Sequence, residues 1–496
     1  MPVPDGRTPL ARRTQRVTLA VACAATAMLM LDIAVVNTAM PAIAREFTAD
    51  LSALKWMVDG YTLALAATVL SAGAWADRVG RRFVFVVGAL IFTVASAVCA
   101  GANGMVMLNV ARVVQGFGAA LLFATSLALI AAAFPGRARA GALAAYGATI
   151  GASFAVGPLL GGMLTEWFDW RAVFLINIPV GIAMLAGVRW VRESRSASPR
   201  RGDWGGQLSS TVALAALTYG LITAAEDGWT ADRTLFLFCT AGLAALVFVL
   251  VEATTPEPML PLKLFATPAF AGAQLSTFAI SASLFAVFVY LGLYLQGVLG
   301  MSPIAAGLVG LPGTFVMLIV AGVTDKMMSR VPAWILVSVA MVAVAGGLVV
   351  MTTAAAVDAS GWAMVPGFML SCVGAGVFNP VLSAVVLAES GSDDVGLATG
   401  VNDVFRQSGI ALGVAALGAV FPAHGALSGG SPDAFVDGLR TALWISVAVA
   451  AAGAVIAVLM MRAATVTPPP LESDLDDEWF DDPLDDAGEP VGTASP

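Results

Sequence analysis

The sequence predicts an all-α membrane protein with about fourteen transmembrane helices, and three observations predict it. Of the 496 residues, 59% are hydrophobic and only 12% are charged, with a mean hydropathy of +0.87. A soluble domain carries about 25% charged residues because its surface faces water. Apolar runs long enough to cross a bilayer recur along nearly the whole chain. Arginine and lysine fall on alternate connections between those runs.

A crossing needs roughly 20 apolar residues. Spans of that kind lie near 18–40, 54–76, 83–102, 105–133, 139–163 and 171–190. Two more lie near 208–225 and 233–252, and six near 269–298, 303–323, 332–353, 361–388, 396–423 and 440–462. Basic residues mark one side: Arg12 and Arg13, Arg78 with Arg81 and Arg82, Arg137 with Arg139, Arg189 to Arg201, Lys263, Lys326 with Arg330, and Arg462. The other connections are short and acidic or neutral. The rule that positive loops stay inside places both termini in the cytoplasm.

The net charge of −8 sits largely in the last residues, 463–496, an acidic tail behind Pro468–Pro470 that reads as disordered. Cys23, Cys99, Cys239 and Cys372 are scattered in apolar runs without metal spacing, so they read as packing residues. The short basic N-terminus leads into a retained first helix, because no small-residue cleavage site follows it.

Ionisable side chains in mid-bilayer each cost roughly 2.5–3.5 kcal/mol on insertion scales. Asp32 lies well along the first span, Asp59 early in the second and Arg112 early in the fourth. With the first span running outward and the other two inward, all three reach similar depths and can share one cavity. A carboxyl out of water favours its neutral form and a guanidinium beside it favours the charged one, so relative movement of the two loads and releases a proton. The plainer alternative is a fixed Asp–Arg pair that ties helices together. On the thirteenth span Asp403 and Arg406 stand three apart, a spacing that permits an intrahelical pair. Glu389 ends the twelfth span at its edge. The only histidine, His424, falls in an outer loop, which argues against a histidine proton relay.

The fifth span holds Gly147, Gly151, Gly157 and Gly161, pairs spaced by four that let backbones approach, with Pro158 tending to kink the helix. Static close packing is the alternative reading. On the ninth span Tyr290 and Gln296 are the candidates for lining a cavity that accepts a bulky, partly aromatic ligand. The charge pattern of Asp77, Arg78 and Arg82 after the second span returns as Asp325, Lys326 and Arg330 after the tenth, as repeated bundles would give; independent loop charges would give it too.

Several ordered motifs resemble the major facilitator superfamily, and within it the fourteen-helix drug/proton antiporters. They are Leu31 to Pro41, Gly73-Ala-Trp-Ala-Asp-Arg-Val-Gly-Arg-Arg82, Arg112-Val-Val-Gln-Gly-Phe-Gly118, Gly157-Pro-Leu-Leu-Gly-Gly162, Trp170 to Pro179, and Asn402 to Gly409. The resemblance runs from the first span to the thirteenth. It implies two six-helix bundles, 18–190 and 269–462, that rock about a central cavity, with 191–268 as a linker carrying two added helices behind a cytoplasmic N-terminus at 1–17. It also implies proton coupling through Asp32, Asp59 and Arg112. A cytoplasmic gate would be built from Gly73, Asp77, Arg78, Gly80, Arg81 and Arg82. A mobile fifth helix would follow from Gly157, Pro158, Gly161 and Gly162. The second-half copy of the loop motif is degenerate.

The function implied is proton-coupled export of small, largely apolar or cationic compounds across a bacterial inner membrane, by a monomer. The partners expected are a small-molecule substrate, protons and the bilayer; no nucleic acid, cofactor or metal is expected. A lipid or other metabolite as cargo stays open. A membrane-embedded enzyme is disfavoured, since the chain lacks a cluster of catalytic acids or histidines. No phosphate-binding loop makes ATP the direct fuel.

Overall fold

The computed structural model describes residues 9–134, 137–195, 203–258, 260, 262–421 and 431–462. His424 and the acidic tail lie outside the described residues. Helices follow one another in the order α1 (Pro9–Phe47), α2 (Leu51–Val79), α3 (Arg81–Ala100), α4 (Met105–Ala133), α5 (Arg137–Trp167), α6 (Ala172–Leu175), α7 (Asn177–Gly187), α8 (Trp204–Asp227) and α9 (Asp232–Thr254). The second half continues with α10 (Pro268–Ile280), α11 (Ala286–Leu293), α12 (Pro303–Met328), α13 (Ala333–Ala354), α14 (Val365–Gly418) and α15 (Pro432–Met460). Helices are what apolar runs must form in lipid, where every backbone polar group needs an internal partner. Their starts carry ordinary signals: Asp50 accepts from Ala53 N and Asp203 from Gly206 N, each at 2.8 Å. Proline opens α10 and α15.

Among the described residues eleven helices are long and apolar enough to cross a membrane, or twelve if the bent α2 is one span. That measure does not reach fourteen; α5 and the second half of α14 are helical but not among those counted. α2 bends by 50° between Leu51–Val69 and Ser71–Val79. The ninth span is interrupted by π-helical turns at Ser281–Phe285 and Tyr294–Val298, insertions of the kind found at functional positions.

The 54 residues of α14 replace the two separate helices expected at 361–388 and 396–423. A straight helix of that length would run about 81 Å, far beyond a bilayer core of about 30 Å. Packing shows that its halves run in opposite senses. Gly367 meets Gly347 and Gly374 meets Ala340, antiparallel to α13. Further on, Asn402 bonds Gln274 and Thr277 while Gly409 meets Phe278 and Gly413 meets Ala282, parallel to the ninth span. Both α13 and the ninth span run antiparallel to α15, through Met341 and Ala279 against Gly453 and through Gly272 against Met460. The chain therefore crosses twice within α14.

The start of the ninth span packs beside the end of α15. α1 runs parallel to the ninth span, with Asn37 O facing Gly292 and Thr38 O bonded to Gln296. Both chain ends thus share one face, here the terminal face; the opposite one is the distal face. α8 and α9 pack on each other at the periphery, and α8 touches α2 and α14. α9 turns Phe236 and Leu243, 70% and 64% exposed, outward as a lipid-facing surface.

Candidate functional site

Four spans of the first half converge on Asp32, which is 1% exposed. The α2 and α4 backbones run parallel at close range, Gly116 lying against Tyr61 O, and this brings Arg112 over Met57 and Tyr61. Arg112 pairs with Asp32 Oδ2 through Nη1. The same Nη1 donates to Gln115 Oε1 at 2.8 Å, and Nε donates to Met57 O at 3.2 Å. The guanidinium also lies 4.2 Å from the Tyr61 ring centroid, a cation–π seat. Asp32 Oδ1 accepts from Gln115 Nε2 and from Asn177 Nδ2, both at 2.9 Å, and Gln115 Nε2 also donates to Ser96 Oγ at 2.9 Å. Both carboxylate oxygens are therefore satisfied, as a buried charge requires. Arg112 retains Met57 O, Gln115 and Tyr61 as partners should it leave Asp32.

Asp59 does not join this network. It is fully buried and, among the described residues, neither of its carboxylate oxygens has a hydrogen-bond partner. Asp403 and Arg406 form the intrahelical pair at 3.8 Å, and Arg406 Nη2 also donates to Asn402 Oδ1 at 3.3 Å.

The two halves meet along the distal part of the molecule. A Cβ on Gly157 would overlap that of Ala34, and one on Gly161 would lie 2.9 Å from Val35 Cα. Gly162 faces Pro303 O and Gly307 faces Pro158 O, so α5 and α12 touch backbone to backbone. Glu166 Oε2 accepts from Ile304 N, and Thr38 O accepts from Gln296 Nε2, each at 2.9 Å. Nothing lies within 4 Å of a Cβ on Gly147; the close approach expected there is at Gly157, Gly161 and Gly162 instead. A small cavity of about 50 Å³ remains beside this contact, with Asn37, Thr38, Pro158, Phe288, Gln296 and Phe368 in its wall. Tyr290 is not part of that wall: its hydroxyl donates to Val414 O and its ring stacks on Phe421.

On the terminal face the loop after α2 is held to residues that follow the sixth span. Arg81 pairs with Asp77 at 2.8 Å, and Arg81 N donates to Ser194 O at 3.0 Å. Glu193 accepts from Arg82 N at 3.0 Å and from Phe83 N at 3.2 Å, capping α3. Arg78 is exposed, and Gly73 has open space where a Cβ would be. Among the described residues no group of three or more His, Cys, Asp or Glu side chains could hold a metal ion.

Sequence reasoning did not single out Ser96, Gln115 or Asn177. Gln115 and Asn177 stand inside the quoted motifs, and Gln115 follows Arg112 by three, a spacing that puts both on one helix face. That spacing was a usable signal; Ser96, a lone hydroxyl in an apolar helix, offered none.

The chain is similar to the methylenomycin A resistance protein of Streptomyces coelicolor, 34% identical over 396 residues, 79% of this chain and 83% of that one. It is 31% identical over 413 residues to the multidrug resistance protein Stp of Mycobacterium tuberculosis, covering 83% and 76%. To the tetracenomycin C resistance and export protein of Streptomyces glaucescens it is 34% identical over 398 residues, covering 79% and 73%. The fold matches the crystal structure of a D-xylose-proton symporter with a TM-score of 0.66 at 16% identity, over 92% of this chain and 100% of that one. The Major Facilitator Superfamily profile matches residues 22–414, and the chain is a multi-pass membrane transport protein of the Major Facilitator Superfamily.

Proposed function

We propose that this transporter is a proton-coupled antiporter that exports small, largely apolar or cationic compounds, such as drugs or antibiotics, by alternating access. One observation carries the reading: a carboxylate and a guanidinium, Asp32 and Arg112, are paired in the dry interior of the first half, and Arg112 has other partners in place. A pair kept only for helix packing gains little over apolar residues of the same volume. A pair whose members can separate gives the carboxylate two states, one neutralised by arginine and one by a proton.

The distal face is the external one in this reading, so that both termini and the loop motif lie in the cytoplasm of a bacterial cell whose inner membrane holds the protein as a monomer. The distal contact of α5 with α12 then closes the external side. Gly157, Pro158, Gly161 and Gly162 are where α5 moves against α1 and α12. Asp77, Arg78, Arg81 and Arg82, with Gly73 and Gly80, form the latch on the cytoplasmic side. Gln296 sits in the cavity wall, with Tyr290 behind it as packing. Asp59, and Asp403 with Arg406, are further buried or partly buried ionisable groups that could take part in coupling.

The test is efflux of a cationic dye from everted vesicles under an imposed pH gradient, comparing the parent chain with Asp32→Asn at equal expression. The parent is expected to move dye against its gradient and Asp32→Asn is not. If the parent moves neither the dye nor a panel of neutral and lipidic compounds in response to pH, proton antiport is wrong.

A further inference from the structure

The cavity beside the contact of α5 with α12 is bordered by both halves, and no charged side chain lines it. Asn37 of α1 enters its wall from the first half and Gln296 of the ninth span from the second. Gln296 stands in the π-helical turn Tyr294–Val298, a wider turn of the kind found at functional positions. The side chain is 7% exposed, and its Nε2 donates to Thr38 O at 2.9 Å. Its Oε1 is buried and, among the described residues, has no hydrogen-bond partner; the same holds for Asn37 Oδ1.

Two amide carbonyls without donors in one wall are costly, because a buried acceptor has given up water and gained nothing for it. Around them the wall is apolar, with Phe288 and Phe368 packed edge to face at 5.0 Å between centroids. Such a wall offers rings to an aromatic body and oxygens to a donor. A cation would enter it without a counter-charge: Asp32, the acid nearest to Asn37 in sequence, is held by Arg112, Gln115 and Asn177. A neutral donor carries no such cost. The cavity of about 50 Å³ compares with about 30 Å³ for one water in the liquid, so it admits a hydroxyl and not a ring system. A primary amide is larger and brings a carbonyl that needs a donor in its turn.

We infer, on the alternating-access reading above, that Asn37 and Gln296 form a specificity subsite for uncharged aromatic cargo bearing a hydroxyl group. The hydroxyl donates to the amide oxygens, and the ring body lies where the helices part as the contact opens. Because the oxygens come from opposite halves, cargo seated there touches both halves at once. A cargo without a donor leaves both oxygens unpaired, and one that donates from an ammonium brings an uncompensated charge into the wall.

The experiment is calorimetric binding to the purified full chain in lipid nanodiscs, with no pH gradient. Three probes share one ring system: 2-naphthol, 2-methoxynaphthalene, which has no donor, and protonated 2-(aminomethyl)naphthalene, which has donors and a charge. The parent is expected to bind 2-naphthol about tenfold or more tightly than the ether. Gln296→Leu and Asn37→Leu are each expected to lower that ratio about threefold or more, and the double variant to bring it within about twofold of unity. Ether binding is expected to stay at the parent value throughout, which also reports a folded chain. Tyr290→Phe, whose lost hydroxyl bonds Val414 O outside the cavity wall, is expected to keep the parent ratio.

A parent that binds naphthol and ether alike, or binds neither, overturns the inference. So does a double variant that keeps the preference, or one that loses both probes together. Tighter binding of the ammonium than of naphthol, lost in the double variant, overturns it as well, since the oxygens would then read cations. Equilibrium binding needs no proton movement. A parent with the hydroxyl preference but no pH-driven efflux therefore defeats the antiport reading alone, and pH-driven efflux without that preference defeats this inference alone.

Discussion

Asn177 donates its side-chain amide to Asp32 Oδ1 at 2.9 Å, joining the sixth span to the first across 145 positions of sequence. Ile176, between α6 and α7, keeps helical dihedrals (φ −60°, ψ −26°), so Ala172–Trp190 runs as one span that presents Asn177 to the first. With Gln115 on the same oxygen, Asn177 holds the carboxylate where Arg112 can meet it.

Removing that amide tests whether the orientation matters. A hydrogen bond to a charged group contributes about 1.5–3 kcal/mol, which is a factor of ten or more in an equilibrium. Asn177→Ala is expected to slow pH-driven efflux by about tenfold or more while leaving dye binding in the absence of a gradient unchanged. Efflux at the parent rate would show that the Asp32–Arg112 pair needs no help from the sixth span.

What was legible in the sequence follows from cost. Asp32 and Arg112 stand out because charge in an apolar run is expensive and rare, and they do meet. Asn177, Gln115 and Ser96 are uncharged, cheap to place in a helix, and gave no comparable signal. Asp59 stood out equally, and its depth suggested company with Asp32, but neither of its carboxylate oxygens has a hydrogen-bond partner among the described residues. The π-turns of the ninth span and the 50° bend of α2 depend on packing between distant helices, so composition could not announce them. Glycines at spacing four marked both ends of α5; only the neighbours decide that Gly157 and Gly161 touch α1 and that Gly147 touches nothing.

Exposed and buried ion pairs are expected to respond differently. On the distal face Arg171 donates to both oxygens of Glu46, at 2.6 and 3.0 Å, with the two side chains 31% and 38% exposed. Hydrogen bonding to Glu46 raises Arg171 above the usual guanidinium range. A raised basic group loses its contribution only as pH climbs through the folded value, so the arginine's share is flat from about pH 6 to 9. Arg171→Gln is expected to lower stability in detergent by about 0.2–1 kcal/mol, equally across that range, whereas Arg112→Met strands Asp32 and costs about 3–5 kcal/mol. Thermal unfolding of both variants at two pH values checks the contrast; equal losses would contradict it.

Gly80 carries two constraints that one experiment separates. Its φ of 133° lies where side chains are strained, and a Cβ there would stand 2.7 Å from the Glu193 carboxyl carbon. Gly80→Ala is expected to cost about 1–3 kcal/mol from backbone strain, and Glu193→Ala about 0.5–2 kcal/mol from the lost cap on α3. In the Glu193→Ala background the clash is gone but the strain remains, so Gly80→Ala should still destabilise. If it becomes neutral there, crowding rather than conformation keeps glycine at position 80.

The contact of α5 with α12 is close enough that one methyl group decides it. A Cβ on Gly162 would lie 2.5 Å from Pro303 O and 2.9 Å from Ile304 Cα, which are backbone atoms that cannot swing aside. Gly162→Ala therefore has to push the helices apart, an overpacking cost of about 1–3 kcal/mol borne by the closed form. Within the open form, where the helices part, the same methyl group is free. Gly162→Ala is accordingly expected to slow efflux by about fivefold or more, and to raise labelling, by a membrane-impermeant maleimide added from outside, of a cysteine substituted for Ala306 in the cavity wall, with little change in the amount of folded protein. Gly147→Ala on the same helix meets nothing within 4 Å and should match the parent in both measurements. If the two alanines behave alike, helix propensity rather than closeness accounts for the glycines of α5.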